Sequence, residues 1–227
     1  MATERWEKAS KCEHDFWLRW KERTNMSEAR AELVEQAKKI EQIINKHLPG
    51  SEHKILQIGP GPNGQVHFMK GRRFALDPLN SFYRETFPEL IDRAVECVDG
   101  MGEELPYEDA FFDVILGLNI LDHCRDPKKT IAESWRSLRP GGLLLVGINL
   151  FLAPLTILHQ ILGFMDPEHP HAFCYRKLQR LMDGFTQLEE SSIKTPLVKY
   201  NLYKMVPLLL LRSFSLAPKY YTFVFKK

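Results

Sequence analysis

The chain has 227 residues, of which 44% are hydrophobic and 26% are charged, so it can bury one full core. Its 31 Lys and Arg residues against 29 Asp and Glu residues leave a formal charge of +2, which excludes a strongly basic nucleic-acid-binding surface. The longest apolar run, 205–211, is far shorter than the ~20 residues of a membrane-spanning helix. We therefore expect one domain that neither binds nucleic acid nor spans a membrane.

The cysteines are scattered and form no C-x-x-C pair and no His–Cys cluster with zinc spacing. They are Cys12, Cys97, Cys124 and Cys174. We interpret them as reduced thiols of a cytoplasmic protein. The first residues contain no apolar segment like that of a signal peptide, which favours the same compartment.

Residues 1–50 are predicted to form two amphipathic helices outside the sheet, because apolar residues recur there at helical spacing. Ser27 is predicted to cap the second helix, and Pro49-Gly50 to end it. In the simpler interpretation the helices cover one face of a sheet. The alternative is a lid over a bound ligand, which the abundance of tryptophan, including Trp17 and Trp20, favours.

A glycine-rich turn follows the first predicted strand. Residues 54–64 read KILQIGPGPNG, an apolar run with two β-branched residues that gives way to glycine and proline. Gly59, Gly61 and Gly64 have the G-x-G-x-x-G spacing that lets a backbone approach a nucleotide at the carboxyl edge of a parallel sheet. This motif is weak by itself, so its meaning depends on the segments that follow.

After the turn, apolar segments alternate with helical ones, which predicts a parallel sheet. Strands are predicted over 55–58, 73–77, 94–98, 112–118, 143–148, 186–194 and 220–225, and helices over 127–138 and 173–184. Asp126 is predicted to cap the first of these helices, and an Arg-Pro-Gly-Gly turn at 139–142 to separate it from the fifth strand.

Asp77 ends the second predicted strand, 18 residues after Gly59. A carboxylate at that place can accept hydrogen bonds from both hydroxyls of a ribose. Because Asp-Pro pairs also open turns, a turn-forming role of Asp77 before Pro78 is the alternative.

Five segments then follow one another in a characteristic order: ILQIGPGPNG, ALDP, GEELPYEDAFFDVI, LNILDH and SLRPGGLLLVGIN. Together they resemble the class I S-adenosylmethionine-dependent methyltransferases, in the small UbiE-like branch called methyltransferase type 11. The resemblance covers 54–150 and, more loosely, the last two strands. It implies an α/β, Rossmann-like fold with a seven-stranded, mostly parallel sheet of order 3-2-1-4-5-7-6, an antiparallel last strand and helices on both faces.

The resemblance also implies a single methyltransferase domain over 1–227. Its predicted parts are an N-terminal helical cover (1–50), a cofactor-binding core (54–149) and two apolar inserts (150–172 and 196–217).

S-adenosyl-L-methionine is the cofactor that the resemblance implies. The glycine turn would hold the methionine and ribose end, Asp77 the ribose, the loop at 100–103 the adenine edge, and the end of the fourth strand the methionine portion. The implied contacts are Gln57, Gly59, Pro60, Gly61, Gly64, Asp77, Pro78, Leu79, Gly100, Met101, Gly102, Glu103, Gly117, Leu118 and Asn119.

Gln57 departs from the family pattern, which usually has an acid two residues before the first glycine. A glutamine can hydrogen-bond but brings no charge to the ammonium group of the cofactor. This departure leaves open a degenerate enzyme that binds cofactor poorly.

Acceptor activation has two candidate sources. His123, next to Asp122 after the fourth strand, is a candidate general base, or else Asp122 orients the loop and His123 packs on the sheet. The segment Asp166–Phe173 offers His169 and His171, and similar stretches occur in relatives that resemble tailoring methyltransferases of sugars or secondary metabolites. A rigid loop is favoured there over a metal site, and no metal is expected.

The two apolar inserts are predicted to roof a partly apolar acceptor pocket. The alternatives are a dimer face, which leaves a monomer and a homodimer both open, or a peripheral membrane contact aided by nearby basic residues. These are Lys199, Lys204, Arg212 and Lys219.

Three functions fit the sequence to different degrees. The first is S-adenosylmethionine-dependent O-methylation of a small-molecule acceptor, such as a sugar, a secondary metabolite or a lipid-like hydroxyl. The second is a catalytically inactive methyltransferase fold that serves as a binding or assembly module. The third, a nicotinamide-dependent oxidoreductase, leaves the LPYEDAFFDVI and LRPGG segments unexplained.

Overall fold

A computed structural model describes residues 2–152, 170–193 and 219–227. Its elements, in chain order, are α1 (Ala2–Arg23), α2 (Met26–His47), β1 (Lys54–Ile58), β2 (Arg72–Leu76), α3 (Asn80–Thr86), β3 (Glu96–Val98), β4 (Phe112–Leu118), α4 (Pro127–Ser137), β5 (Leu138–Leu150), α5 (Tyr175–Leu181), β6 (Thr186–Ile193) and β7 (Lys219–Lys226). Two short 3₁₀ turns, Gly61–Asn63 and Gln65–Phe68, follow β1.

The strands form one seven-stranded sheet of order β3-β2-β1-β4-β5-β7-β6. The first five strands are paired in parallel, and β7 runs antiparallel between β5 and β6. The predicted strand order and the antiparallel last strand are therefore confirmed. Parallel strands present their carboxyl ends at one edge of a sheet, which is where ligands bind in open α/β folds.

Alternate residues of the central strands pack on opposite faces of the sheet, as the period of a strand requires. In β4, Ile115 belongs to the core beneath α4 and α5, whereas Val114 and Leu116 belong to the core beneath α2. Helices therefore cover both faces, as predicted. A third cluster of buried aromatic and aliphatic side chains joins α1, α2 and α3 at the side of the sheet.

Strand β5 begins earlier than predicted. The Arg-Pro-Gly-Gly segment does not separate α4 from the strand, because Leu138 already pairs with Phe112 and the register shifts before Leu143 pairs with Val114. Gly141 has φ +76°, and a Cβ on Gly142 would lie 2.9 Å from the carbonyl of Asp113. The two glycines thus form an irregular start of β5, because only glycine allows this geometry beside β4.

The cap of α2 is Asn25 and not Ser27. The Asn25 Oδ1 atom accepts hydrogen bonds from the backbone N–H groups of Ser27 (3.1 Å) and Glu28 (3.4 Å). Asn at this position satisfies two of the unpaired N–H groups that every helix start carries. The predicted cap of α4 is correct, since Asp126 accepts from the N–H groups of Lys128 and Lys129.

The second apolar insert (196–217) and most of the first (150–172) lie outside the described residues, and so do Asp166, Glu168 and His169. The predicted roof of the acceptor pocket, and its alternatives, stay predictions. Within the ranges that the structure covers, every helix is too short or too polar to cross a membrane.

His67 generates a prediction about stability and pH. It lies in the second 3₁₀ turn, 3% exposed, and both ring nitrogens lack hydrogen-bond partners in the described part of the chain. Burial lowers the pKa of His67 from 6.5 to about 4. The unfolded chain therefore binds a proton that the folded chain excludes, so this contribution to stability is complete above pH 6.5 and declines as the pH falls toward 4.

We expect His67 to account for a loss of about 3 kcal/mol in the free energy of unfolding over that interval. Urea denaturation from pH 7.5 to 4 measures it, with His67→Phe as the comparison, because Phe keeps a ring of similar size and cannot titrate. The variant should have a flatter pH profile than the native chain. Parallel profiles for the two proteins would contradict the assignment to His67.

Candidate cofactor and acceptor site

The implied cofactor contacts converge on the carboxyl edge of the sheet. The glycine turn follows β1, Asp77 follows β2, the loop at 100–103 follows β3, and Gly117–Asn119 ends β4. These four strands are neighbours and run parallel, so the segments that leave them lie side by side. The sequence therefore placed these segments at a common edge correctly.

Gly59 and Gly61 have a backbone conformation that glycine adopts without strain. Their φ angles are +61° and +56°. A Cβ on Gly59 would lie 2.6 Å from Ile120, and one on Gly61 would lie 3.2 Å from the ring of Trp17. Gly64 has an ordinary φ but is packed so closely on Pro60 that any side chain would collide with it. The turn is thus a narrow backbone surface between β1 and its neighbours.

Asp77 is 4% exposed and its carboxylate faces the glycine turn. One oxygen accepts a hydrogen bond from the N–H of Gly61 (3.1 Å) and the other from the N–H of Leu79 (2.9 Å). Burial, together with the nearby Glu13 carboxylate, raises the pKa of Asp77 to about 7. Each oxygen keeps a second acceptor position, so the group fits a vicinal diol such as a ribose.

Helix α1 forms a wall beside this carboxylate. Trp17 is buried against Gly61 and makes edge contacts with the rings of Tyr83 and Phe87. Glu13 accepts hydrogen bonds from the Trp17 Nε1 (3.4 Å) and the Tyr83 hydroxyl (3.5 Å). The N-terminal helix therefore contacts the glycine turn directly.

The loop at 100–103 is held by its backbone and by Glu103. Gly100 donates its N–H to the carbonyl of Asp77 (3.3 Å), and a Cβ on Gly102 would lie 2.9 Å from both Ile58 and Thr130. The Glu103 carboxylate accepts from the N–H groups of Arg125 (2.6 Å) and Asp126 (3.0 Å). Glu103 thus fixes the segment before α4.

Asn80 adds support that the sequence analysis did not foresee. Its buried side-chain amide donates to the carbonyls of Ala75 (3.1 Å) and Val98 (2.7 Å), which joins the ends of β2 and β3. An Asn after an Asp-Pro pair is a common turn residue, so its pattern alone gave no reason to single it out.

Gln57 is buried and both ends of its amide are used. Its Oε1 accepts the N–H of Val66 (2.9 Å), and its Nε2 donates to Gln65 (3.1 Å), whose own amide donates to Gln36 of α2 (2.8 Å). A carboxylate accepts hydrogen bonds and cannot donate one. The amide at this position therefore matches a chain of side-chain hydrogen bonds that runs from β1 to α2.

The end of β4 adopts an unusual backbone conformation. Asn119 is exposed with φ +60°, its N–H donates to the carbonyl of Gly147 (2.7 Å), and its Oδ1 accepts from Asn149 (3.0 Å). Such a conformation costs free energy in residues other than glycine, although less for Asn than for most. Gly117 is buried and Leu118 half-buried, so Asn119 is the member of this group that faces outward.

The candidate acceptor residues lie beyond β4 and β5. The Nε2 of His123 is 4.0 Å from Oδ1 of Asp122, which is buried, and the backbone N–H of His171 donates to the carbonyl of Asp122 (3.3 Å). His123 and His171 are thus brought to the same edge. Over the described ranges, no three potential ligand side chains are grouped closely enough to hold a metal ion.

Tyr220 joins this group from the other side, at the start of β7. Its hydroxyl lies against Gly147, where a Cβ would collide with it, and Gly147 pairs with Leu118 at the end of β4. Burial and the charge of Asp122 raise the pKa of Tyr220 to about 12. The sequence analysis missed Tyr220, because an aromatic residue in a C-terminal strand has the pattern of a core position.

Known proteins resemble the chain through its central segment. Residues 56–146 match the family described as Methyltransferase domain. An uncharacterized protein of Methanocaldococcus jannaschii is 38% identical over 110 residues, covering 46% of this chain and 48% of that protein. A sarcosine/dimethylglycine N-methyltransferase of Halorhodospira halochloris is 27% identical over 101 residues, covering 41% of this chain and 36% of the relative. The chain thus spans less than half the length of these curated relatives.

The fold has solved counterparts as well. A structure from Bacillus halodurans, described as a methyltransferase, superposes with a TM-score of 0.68 at 17% identity and covers 84% of this chain and 98% of its own. This likeness agrees with the strand order of the sheet. Residues 56–146 therefore match a methyltransferase domain, and the chain shares the fold of a solved methyltransferase structure.

Proposed function

We propose that this protein transfers a methyl group from S-adenosyl-L-methionine to a hydroxyl group of a small-molecule acceptor. The observation that carries the proposal is the buried carboxylate of Asp77, which the N–H groups of Gly61 and Leu79 hold at the glycine turn. A carboxylate in that position recognises the ribose of the cofactor and fixes its orientation relative to the end of β4.

The chain contributes mainly orientation. When bound, the cofactor would supply an electrophilic methyl group on a sulfonium, and the acceptor hydroxyl would exchange its proton for that methyl. The glycine turn, Asp77, the loop at 100–103 and the end of β4 hold the donor, so that little further rearrangement is needed for in-line attack. We assign proton removal to His123, His169 or His171.

The acceptor is proposed to be small and partly apolar. One named relative is a 27-O-demethylrifamycin SV methyltransferase of Amycolatopsis mediterranei. Another is a sarcosine/dimethylglycine N-methyltransferase. The histidines near the end of β4 favour a hydroxyl, since a neutral imidazole accepts a proton near pH 7.

We further propose that the protein is cytoplasmic, is a monomer or a homodimer, and binds no nucleic acid. Peripheral membrane contact, where it occurs, is proposed to involve the apolar inserts. The four free cysteines support that compartment.

A second candidate function is a binding module that has lost catalysis, because Gln57 stands where the family usually has an acid. If the loss of the acid only reflected lost catalysis, we would expect the side chain of Gln57 to have no hydrogen-bond partner in the fold. Instead its amide bonds with Val66 and Gln65, so its identity has a structural reason. That reason supports the active enzyme over the inactive module.

Calorimetry with S-adenosylhomocysteine tests the leading proposal. We expect binding of this product, no binding of NAD, and an affinity loss of roughly tenfold or more in Asp77→Asn, because an amide replaces a charged hydrogen-bond acceptor. Asp183→Asn, an exposed site near the opposite edge of the sheet, is the matched control and should bind normally. Failure of the product to bind at millimolar concentration would refute the proposal.

The same titration has a predictable pH dependence. Ribose hydroxyls donate to the ionised form of Asp77, so binding the product should lower the pKa of a carboxyl that is about 7 in the free protein. The affinity should therefore rise as the pH increases through about 7 and level off above it. In Asp77→Asn this dependence should disappear; an unchanged pH profile in that variant would assign the effect to another group.

Gln57 gives a prediction that separates the two candidates. Gln57→Glu keeps an acceptor for Val66 but loses the donor to Gln65 and buries a charge, so we expect a loss of about 1–3 kcal/mol in the free energy of unfolding and no tighter binding of the product. Gln57→Leu should be similarly destabilised, whereas the exposed Gln187→Leu should change stability by less than about 0.5 kcal/mol. A variant Gln57→Glu that is fully stable and binds much more tightly would favour the inactive module.

A further inference from the structure

Asp122 is a buried carboxylate with one oxygen that accepts no hydrogen bond from the described residues. It is 5% exposed, and its Oδ1 atom has no hydrogen-bond partner among the described residues. A buried carboxylate without donors is costly, and proteins of ordinary stability contain few such groups. The side chain therefore needs a reason other than the stability of the turn in which it lies.

Within the ranges that the structure describes, charged and polar groups from three segments surround Asp122. His123 belongs to the same turn, with its Nε2 4.0 Å from Oδ1, a distance too long for a hydrogen bond. The backbone of His171 is bound to the carbonyl of Asp122 and not to its side chain. Tyr220, from β7, is close enough for the charge of Asp122 to raise its pKa. None of these contacts supplies the missing donor to Oδ1.

The position of this carboxylate relates it to the proposed reaction. Leu118 and Asn119, assigned to the methionine end of the cofactor, lie three to four residues before Asp122. Tyr220 covers Gly147, the direct neighbour of Leu118 in the sheet. Asp122 and Tyr220 thus belong to the part of the carboxyl edge where an acceptor has to meet the donor.

We propose that Asp122 is the anchor for the methyl acceptor, and that it accepts a hydrogen bond from a hydroxyl or a protonated amine of that molecule. This inference rests on the proposed function and narrows its substrate class. The acceptor carries a hydrogen-bond donor, neutral or cationic, at the point that enters the site. It carries no carboxylate there, because a second anion beside a buried Asp122 would be repelled.

Three matched probes test which chemical group binds beside Asp122. Benzylamine, benzyl alcohol and benzoate share one ring and differ in the group that would meet Asp122. Each is titrated at millimolar concentration into the protein loaded with S-adenosylhomocysteine. We expect benzylamine to bind more tightly than benzyl alcohol, and benzoate not to bind. In Asp122→Asn the affinity for benzylamine should fall roughly tenfold or more, and the exclusion of benzoate should weaken.

Stability gives an independent readout. If the carboxylate of Asp122 is retained for a ligand, replacing it with a neutral amide removes a costly buried charge and stabilises the free protein. We therefore expect Asp122→Asn to melt about 2–4 °C higher than the native chain. A purely structural Asp122 would give a lower melting temperature in that variant. Asp183→Asn serves again as the control and should alter neither the probe ranking nor the melting temperature.

The outcomes distinguish this inference from the proposed function. Binding of S-adenosylhomocysteine, measured first and alone, tests the function. If the product binds but benzylamine does not, if benzoate binds as well as benzylamine, or if Asp122→Asn keeps the native ranking, the anchor role of Asp122 is wrong while the methyltransferase proposal stands. If the product itself fails to bind, the proposed function is wrong.

Discussion

The hydrogen bond from the N–H of Gly61 to the carboxylate of Asp77 is the contact on which the candidate site depends. It joins the turn after β1 to the end of β2, and these strands are paired along their whole length. The bond forms only because Gly59 and Gly61 adopt positive φ angles that bring the chain back over the sheet edge. Without backbone donors, a carboxylate as buried as Asp77 would be strongly unfavourable. The turn and the acid thus stabilise each other.

The N-terminal helix is coupled to this contact through Trp17. Its ring packs on Gly61 and on the aromatic cluster that joins α1 to α3, so the position of α1 and the shape of the turn depend on each other. Glu13, one turn earlier, adds a second carboxylate whose charge contributes to the raised pKa of Asp77. A helix that lies outside the sheet therefore contributes to the electrostatics of the carboxylate that we propose binds the ribose.

The sequence predicted the fold well because the fold depends on patterns of neighbouring residues. Alternation of apolar strands and helices, with the order of the motifs, was enough for the strand order, and Asp77 followed from its spacing to the glycines. The errors have local causes. Ser27 and Asn25 are both good caps, and only the coordinates show which side chain turns back to the helix. Gly141 and Gly142 predict a turn, but Leu138 already pairs with Phe112, so the two glycines lie within strand β5.

The site was harder to predict because it depends on contacts between distant segments. The amide of Gln57 donates a hydrogen bond to Gln65, whose own amide donates to Gln36 of α2. Gln36 precedes Gln57 by 21 positions, and no spacing rule connects the two residues. Glu13 and Tyr220 likewise reach the site from the two ends of the described chain. Residue type and spacing therefore identified the groups that follow the strands, and missed those that come from other elements.

Asp77 and Asp122 are two buried acids at one sheet edge, and they differ in the hydrogen-bond donors that the fold supplies to them. The turn after β2 leaves backbone donors free, and Asp77 takes those of Leu79 and, across the edge, Gly61. The turn after β4 uses its donors internally, since the N–H groups of His123 and Cys124 both bind the carbonyl of Ile120. Asp122 Oδ1 is therefore left without a donor from its own turn. A carboxylate supplied with donors by the fold can orient a diol, whereas one denied them by the same fold favours a ligand that brings a donor of its own.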